Sequence, residues 1–160
     1  ARGDRSEGVP AFHEGGLVAL RECGIAELSV DVRAPAEGRT GRDQAALQRV
    51  ADQIERESGG RKPLQVVGNL LDESLPAKLV GETVAQFGRL DILVNNAGGS
   101  HPVNSLADEK IMQAYEDIFG LNVRVCVQLI HEAIPHLEKT KGNIINISSI
   151  VAIKPVSDSK

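Results

Sequence analysis

The chain has 160 residues, 41% of them hydrophobic and 25% charged, enough for one domain with a core of its own and short for two. A formal net charge of −4 excludes a general polyanion binder, whose affinity would come from clustered Lys and Arg. Aromatic residues make up only 2% of the chain, so the core must be built from Val, Ile, Leu and Ala, as in helices layered on a parallel sheet.

Residues 1–41 mix Arg, Gly, Glu, Asp and Pro without sustained periodicity, whereas the rest of the chain is regularly punctuated. In the first stretch Leu17-Val18-Ala19-Leu20 reads as a helical turn and Ile25 to Val32 as a short strand, with Gly24, Pro35 and Gly38 as interruptions. From Asp43, an N-cap residue type, Leu47, Val50, Ala51 and Ile54 fall at i, i+3, i+4 and i+7 and predict a helix that Gly59-Gly60 ends. Leu64 to Val67 reads as a short buried strand. Asp72, Glu73 and Pro76 then open a helix that carries Leu79, Val80, Val84 and Phe87 and closes at Gly88. The following strand is Asp91 to Asn95, whose unbroken Ile92-Leu93-Val94 predicts cover on both faces.

After a loop from Asn96 to Ser105, Asp108 is placed to cap a long helical region. It contains Ile111, Met112, Tyr115, Ile118 and Phe119, then Val123, Val127, Ile130, Ile134 and Leu137, with Pro135 bending its last turn. Gly142 begins another apolar strand, Ile144 to Ile147, that ends in Ser148-Ser149. This alternation of helix and strand predicts an α/β fold, a doubly wound parallel sheet of Rossmann-like form. In such a sheet ligands bind beyond the carboxyl ends of the strands, here Asn69-Leu70, Asn95 to Gly99 and Ser148-Ser149. Taken alone, Asn95-Asn96-Ala97-Gly98-Gly99 reads more readily as a plain turn than as a ligand site, because Asn and Gly dominate turns.

The run Leu90-Asp91-Ile92-Leu93-Val94-Asn95-Asn96-Ala97-Gly98 resembles the fourth-strand signature of the short-chain dehydrogenase/reductase family. Leu121-Asn122-Val123 resembles that family's helix bearing the active-site Asn, and Gly142 to Ser149 resembles its fifth strand and active-site Ser. Order and spacing agree from about residue 40 to residue 160. The resemblance thus divides the chain into an unmatched segment, 1–39, standing where the first βα unit belongs, and a partial dinucleotide-binding domain, 40–160.

What the resemblance implies can be carried over position by position. Asn95, Ala97 and Gly98 would line the adenosine and ribose end of a nicotinamide dinucleotide, and Asn95 would also tie the central strands together. Asn69 and Leu70 would meet the adenine. Asn122 would hold its helix slightly open and help position a catalytic Lys. Ser149 would donate a hydrogen bond to the substrate carbonyl as negative charge develops on its oxygen. Thr40-Gly41-Arg42-Asp43 resembles the loop after the second strand, where the guanidinium of Arg42 would suit the 2′-phosphate of NADP, whereas an acidic residue would select NAD. The plain alternative is a solvated Arg near a helix start.

The chain also departs from the family pattern. Asn69 stands where an Asp is usual, and no TGxxxGxG run precedes Arg42. The family's Tyr, about 13 residues after the catalytic Ser, would fall at roughly position 162, beyond Lys160, and Tyr115 has Phe119 rather than Lys four residues on. An altered reading frame upstream of Thr40 would account for the abrupt onset of the resemblance. Two functions therefore stand side by side. One is an oxidoreductase that interconverts a small-molecule carbonyl and alcohol by hydride transfer with NADP or NAD; the other is an inactive fragment acting through subunit association.

The remaining residues point to no further chemistry. Cys23 and Cys126 lie far apart without CxxC spacing, which suits a reducing intracellular compartment. No apolar run approaches the length of a membrane span, so a membrane is not an expected partner, and the net charge of −4 argues against nucleic acid as one. His131 and His136 miss the i, i+4 spacing of a helical metal pair, and no metal is expected. His101 reads as an exposed loop histidine, the alternative being a residue that borders the substrate space. The region Asp108 to Glu138 resembles the helices through which family members dimerise, so the complete protein is expected to be a homo-oligomer.

Overall fold

The computed structural model of the chain describes residues 17–22, 25–30, 44–101, 103 and 105–154. Cys23, the Thr40-Gly41-Arg42 loop and the proposed cap Asp43 lie outside the described residues. The strands are β1 (Leu17–Glu22), β2 (Ile25–Val30), β3 (Leu64–Val66), β4 (Ile92–Asn95) and β5 (Asn143–Asn146). They form one sheet in the order β3-β1-β2-β4-β5. The helices are α1 (Gln44–Glu57), α2 (Leu75–Phe87), α3 (Ile111–Phe119) and α4 (Val125–Thr140), with a π-helical turn at Gly120–Arg124 joining the last two.

The α/β architecture agrees with the sequence reading, and β2, β4 and β5 are parallel. One strand departs from the all-parallel expectation. β1 runs antiparallel to both of its neighbours, β2 and β3. Leu17 to Leu20, expected as a helical turn, lie in this strand instead, with Leu17 opposite Val30 and Leu20 opposite Glu27. The four-residue apolar run has no helical continuation, whereas pairing on both sides satisfies its backbone groups.

Helix ends follow local chemistry. α2 has Pro76 in its first turn, where a missing N–H removes no hydrogen bond, and ends at Gly88, whose φ of 75° lets its N–H reach the Val84 carbonyl. α4 ends differently. Lys141 adopts the left-handed conformation at φ 55°, and the Gly142 N–H bonds the Leu137 carbonyl at 2.8 Å. Glycine is needed at the second of these positions, because a Cβ on Gly142 would lie 2.3 Å from the Asp91 carbonyl oxygen and 2.7 Å from Leu137 Cδ2. The closeness comes from the bond of the Asn143 N–H to that same carbonyl, 2.8 Å, which starts the β4–β5 pairing. Asp108 does not cap α3 directly. Its carboxylate accepts from the Lys110 N–H at 2.8 Å, forming a turn just ahead of the helix start at Ile111.

Leu79, Val80 and Thr83 of α2 and Leu121, Val125, Leu129, Ala133 and Leu137 of the π-turn and α4 are buried. The apolar members of this set close over Val66, Leu70, Leu90 and Leu93 in one cluster. In β4, Leu93 is buried while Ile92 and Val94 are half-buried, so the cover expected on both faces is complete on only one. β5 occupies the sheet edge, with Ile145 exposed.

Candidate dinucleotide-binding and active site

β2, β4 and β5 end at the same side of the sheet, and in the register Val30 stands opposite Asn95, which stands opposite Asn146. Three chain exits therefore lie side by side. Asn95 is 3% exposed, and its Nδ2 donates to Asn146 Oδ1 at 2.8 Å, a side-chain bond laid over the backbone pairing. The pairing runs one residue further through the Ile147 N–H, which donates to the Asn95 carbonyl at 2.9 Å. Asn95 Oδ1 is buried without a partner, an arrangement that costs about 1–3 kcal/mol unless a donor reaches it.

Beyond Asn95 the chain passes through Asn96, Ala97, Gly98 and Gly99, where no side chain is larger than that of Asn. Asn122 faces this loop. Its Oδ1 accepts from the Gly99 N–H at 2.8 Å and its Nδ2 donates to the Gly99 carbonyl at 2.9 Å, so one amide satisfies both backbone groups of one residue. A Cβ on Gly98 would reach Asn122 Oδ1 at 3.4 Å, so Ala97 to Gly99 leaves little between the backbone and an approaching ligand. Asn122 sits in the π-turn, where the Val125 N–H bonds the Gly120 carbonyl five residues back. Such single turns widen a helix and are concentrated at functional sites. The Asn122 carbonyl accepts from Cys126 Sγ at 3.4 Å, and burial pushes the Cys126 thiol above its usual value, which favours the protonated donor.

The loop is also bonded within itself and approaches α3. His101 Nδ1 accepts from the Val103 N–H at 3.2 Å, and His101 Nε2 lies 3.7 Å from Asp117 Oδ2. On the other side of the π-turn, Arg124 pairs with Glu73 at 3.1 Å. That pair is exposed, and such pairs contribute little, about 0–1 kcal/mol.

At the end of β3, Asn69 is exposed and its Oδ1 accepts from the Leu71 N–H at 3.1 Å. Leu70 is 1% exposed and belongs to the core, so it is withdrawn from the strand-end surface where the sequence reading put it. Two strands separate β3 from β4 in the sheet, which sets them about 14 Å apart. Ser149 follows β5 by three residues, is exposed, and its carbonyl accepts from the Ala152 N–H at 3.0 Å in a short 3-10 turn. Asn95, Ala97, Gly98 and Asn122 thus come together around one loop, while Asn69 and Ser149 stand at the ends of other strands; Arg42 is outside the described residues. Two residues of this neighbourhood were given no role from sequence: Asn146 and Asp117. Asn146 carries a legible signal, since it ends β5 as Asn95 ends β4. Asp117 carries none, because its partner His101 lies 16 residues away across a loop.

Among the described residues there is no group of three or more His, Cys, Asp or Glu that could hold a metal ion. No helix among them is long and apolar enough to cross a membrane.

Comparison with known proteins gives the family. Residues 34–159 match the profile of the short chain dehydrogenase family, so the chain belongs to that family. It is 42% identical over 102 residues to an L-fucose dehydrogenase of Rattus norvegicus, a match covering 59% of this chain and 37% of that protein. A 1,2-dihydroxy-1,2-dihydronaphthalene dehydrogenase of Pseudomonas putida is 34% identical over 87 residues, covering 53% of this chain and 34% of the relative. Among solved structures, a short chain dehydrogenase/reductase from Saccharomyces cerevisiae superposes with a TM-score of 0.59 at 31% identity, covering 69% of this chain and 42% of the other. The apo-form of a glucose dehydrogenase from Caenorhabditis elegans gives a TM-score of 0.55 at 33% identity, with the same coverages of 69% and 42%. The chain therefore spans well under half the length of these relatives.

Proposed function

We propose that this chain supplies the dinucleotide-binding part of an oxidoreductase that interconverts a small-molecule carbonyl and alcohol by hydride transfer, with NADP as its dinucleotide. The observation that carries this reading is the Asn122 amide, held in a π-turn and clamping both backbone groups of Gly99 at the carboxyl end of β4. The clamp holds open a small-residue surface at the place where parallel sheets bind nucleotides. The residues fit the adenosine and ribose end of such a ligand. Asn69 retains a lone pair and a free amide beside the exposed end of β3, and Ala97 and Gly98 let a ribose approach the backbone. No TGxxxGxG run precedes Arg42, so the fit is drawn for that end alone.

In this reading Asn95, Ala97 and Gly98 would hold the dinucleotide, which when bound would supply or take the hydride. Ser149 would donate a hydrogen bond from its hydroxyl to the carbonyl oxygen as charge develops there. Asn122 acts through the loop by fixing Gly99, and Arg42 meets the 2′-phosphate, which favours NADP over NAD. The dinucleotide-binding domain runs from about residue 40, close to the start of the family match. Calorimetric titration of the chain with NADPH and NADH tests the proposal. Saturable binding, tighter for NADPH and equalised by Arg42→Ala, is the expected result; no binding of either dinucleotide overturns it.

A second reading rests on a separate observation. Met112, Tyr115, Phe119, Val123, Val127 and Ile134 are all exposed, at near-helical spacing along α3, the π-turn and α4. The Tyr115 and Phe119 rings pack against each other with centroids 4.4 Å apart. This stripe faces away from the buried Val125-Leu129-Ala133-Leu137 face and suits isologous pairing with a second copy, so the chain would act through subunit association. Light scattering on the chain and on Phe119→Ser/Val127→Ser separates the two readings. A dimer that dissociates in the double variant, without dinucleotide binding, supports association alone.

A further inference from the structure

The loop at the end of β4 carries one ionisable side chain. Residues 96–105 read Asn, Ala, Gly, Gly, Ser, His, Pro, Val, Asn, Ser, so His101 is the one ionisable residue among them. His101 has two polar partners, one on each ring nitrogen. Nδ1 lies 3.2 Å from the Val103 backbone nitrogen, which carries a hydrogen and can only donate. Nδ1 is therefore the bare nitrogen of the neutral ring, and Nε2 carries the proton. Nε2 points to Asp117 Oδ2 across 3.7 Å, longer than a formed hydrogen bond. Asp117 is the ionisable group that α3 brings to His101, and its other oxygen accepts from Gln113 Nε2 at 2.9 Å. The one charged residue of the π-turn, Arg124, is engaged with Glu73.

We infer that His101 is a positioning residue whose protonation selects between two tethers of the loop bordering the candidate site. The neutral imidazole ties the loop to itself through the Val103 N–H. Protonation converts Nδ1 into a donor, so the Val103 bond is lost, and gives the ring a positive charge whose Nε2–H faces the Asp117 carboxylate, so the contact with α3 tightens. Two residues earlier the same loop carries Gly99, which Asn122 holds from the π-turn. Acidification thus trades a bond within the loop for an ion pair to the helix, next to the clamp. As an effect on ligand affinity, the inference rests on the dinucleotide reading proposed above; as a property of the loop, it stands without it.

The test follows two backbone amides and one ring by NMR, from about pH 8 to pH 5, the range in which histidines titrate. The ring-nitrogen shifts are expected to show Nδ1 unprotonated and Nε2 protonated at the alkaline end. Protection of the Val103 amide, corrected for the pH dependence of intrinsic exchange, is expected to fall several-fold on acidification. In His101→Gln, which cannot titrate, that dependence is expected to vanish. In Asp117→Asn, Val103 is still released but the pull towards α3 is gone, so Gly99 protection, steady in the parent chain, falls on acidification. An Nδ1-protonated neutral ring, pH-independent Val103 protection, or a His101→Gln variant that keeps the parent profile would each overturn the inference. NADPH titrations over the same range form a separate arm. A pH dependence of affinity lost in His101→Gln extends the switch to the ligand, whereas absence of binding at every pH counts against the dinucleotide reading and leaves the NMR outcome to decide the tether.

Discussion

On one side of β2 the sheet continues through β4 and β5, parallel strands reached by way of helices; on the other it continues through β1 and β3, with β1 reversed and reached by a hairpin. The difference follows from how much chain is available. A parallel neighbour needs a crossover of a dozen residues or more, whereas an antiparallel one needs only a tight turn. Two residues separate β1 from β2, so their pairing can only be antiparallel. In the Rossmann strand order 3-2-1-4-5, this hairpin fills positions 2 and 1. A sheet position asks for a strand that pairs, in either direction. A site at the carboxyl ends asks for more, because only strands pointing the same way deliver their following loops to one edge. β2, β3, β4 and β5 do so; β1 delivers its end to the opposite edge. The family match begins at residue 34, after the hairpin, so it takes in β3, β4 and β5 and leaves out β1 and β2.

This contrast can be broken most severely from the core of the parallel side. Leu129 is 1% exposed under the sheet, and Leu129→Ala is expected to cost about 2–5 kcal/mol, read from denaturant unfolding; a loss under about 1 kcal/mol would mean that α4 is not seated there. On the hairpin side, Ala19 pairs with both Leu28 and Leu64. Ala19→Pro removes an N–H from a strand with neighbours on each side and is expected to cost about 3 kcal/mol. Equal stability of this variant and its parent would show the hairpin to be dispensable to the sheet.

A smaller effect sharpens the comparison at the site itself. Asn122→Ala strips both partners from the half-buried Gly99 and is expected to cost about 1–2 kcal/mol, with the Gly99 amide exchanging faster while amides of β1 and β2 are unchanged. The smallest effect concerns Asp72. The Ser74 N–H and hydroxyl hold its carboxyl below the usual aspartate range, with hydrogen bonds of 2.9 and 2.8 Å. A depressed pKa stabilises the fold above the unfolded value and loses that contribution as pH falls through the folded one. Asp72→Asn should therefore lower Tm slightly at pH 7, and the gap to the parent should close in the acid range below about pH 3.9. A gap that widens on acidification would reverse the sign.

Much of the parallel side is legible in the sequence because its signals are local. The stripe Leu47, Val50, Ala51 and Ile54, the stop at Gly88 and the unbroken Ile92-Leu93-Val94 each name an element within a few residues of itself. Asn95, Ala97, Gly98 and Asn122 were legible as site candidates because they stand in ordered motifs. That Asn122 bonds Gly99 was not, since the two are brought together only when the helical region folds back over the end of β4. Leu17 to Leu20 misled for the same reason. A four-residue apolar run suits a helical turn or a strand equally, and what decides is whether neighbours are present to pair with it.

By itself, the sequence determined the kind of fold, the places where α1, α2 and β4 begin or end, and the residues around which a nucleotide site would be built. These depend on periodicity, on glycine and proline geometry and on short ordered motifs, all confined to neighbouring residues. The tertiary structure alone decided the direction of β1, the burial of Leu70 away from the strand-end surface, the Asn95–Asn146 bond and the two ties that hold the loop after β4. Each of these is a contact between segments far apart in the chain, and a hydrogen bond or a buried face exists only once both partners are in place.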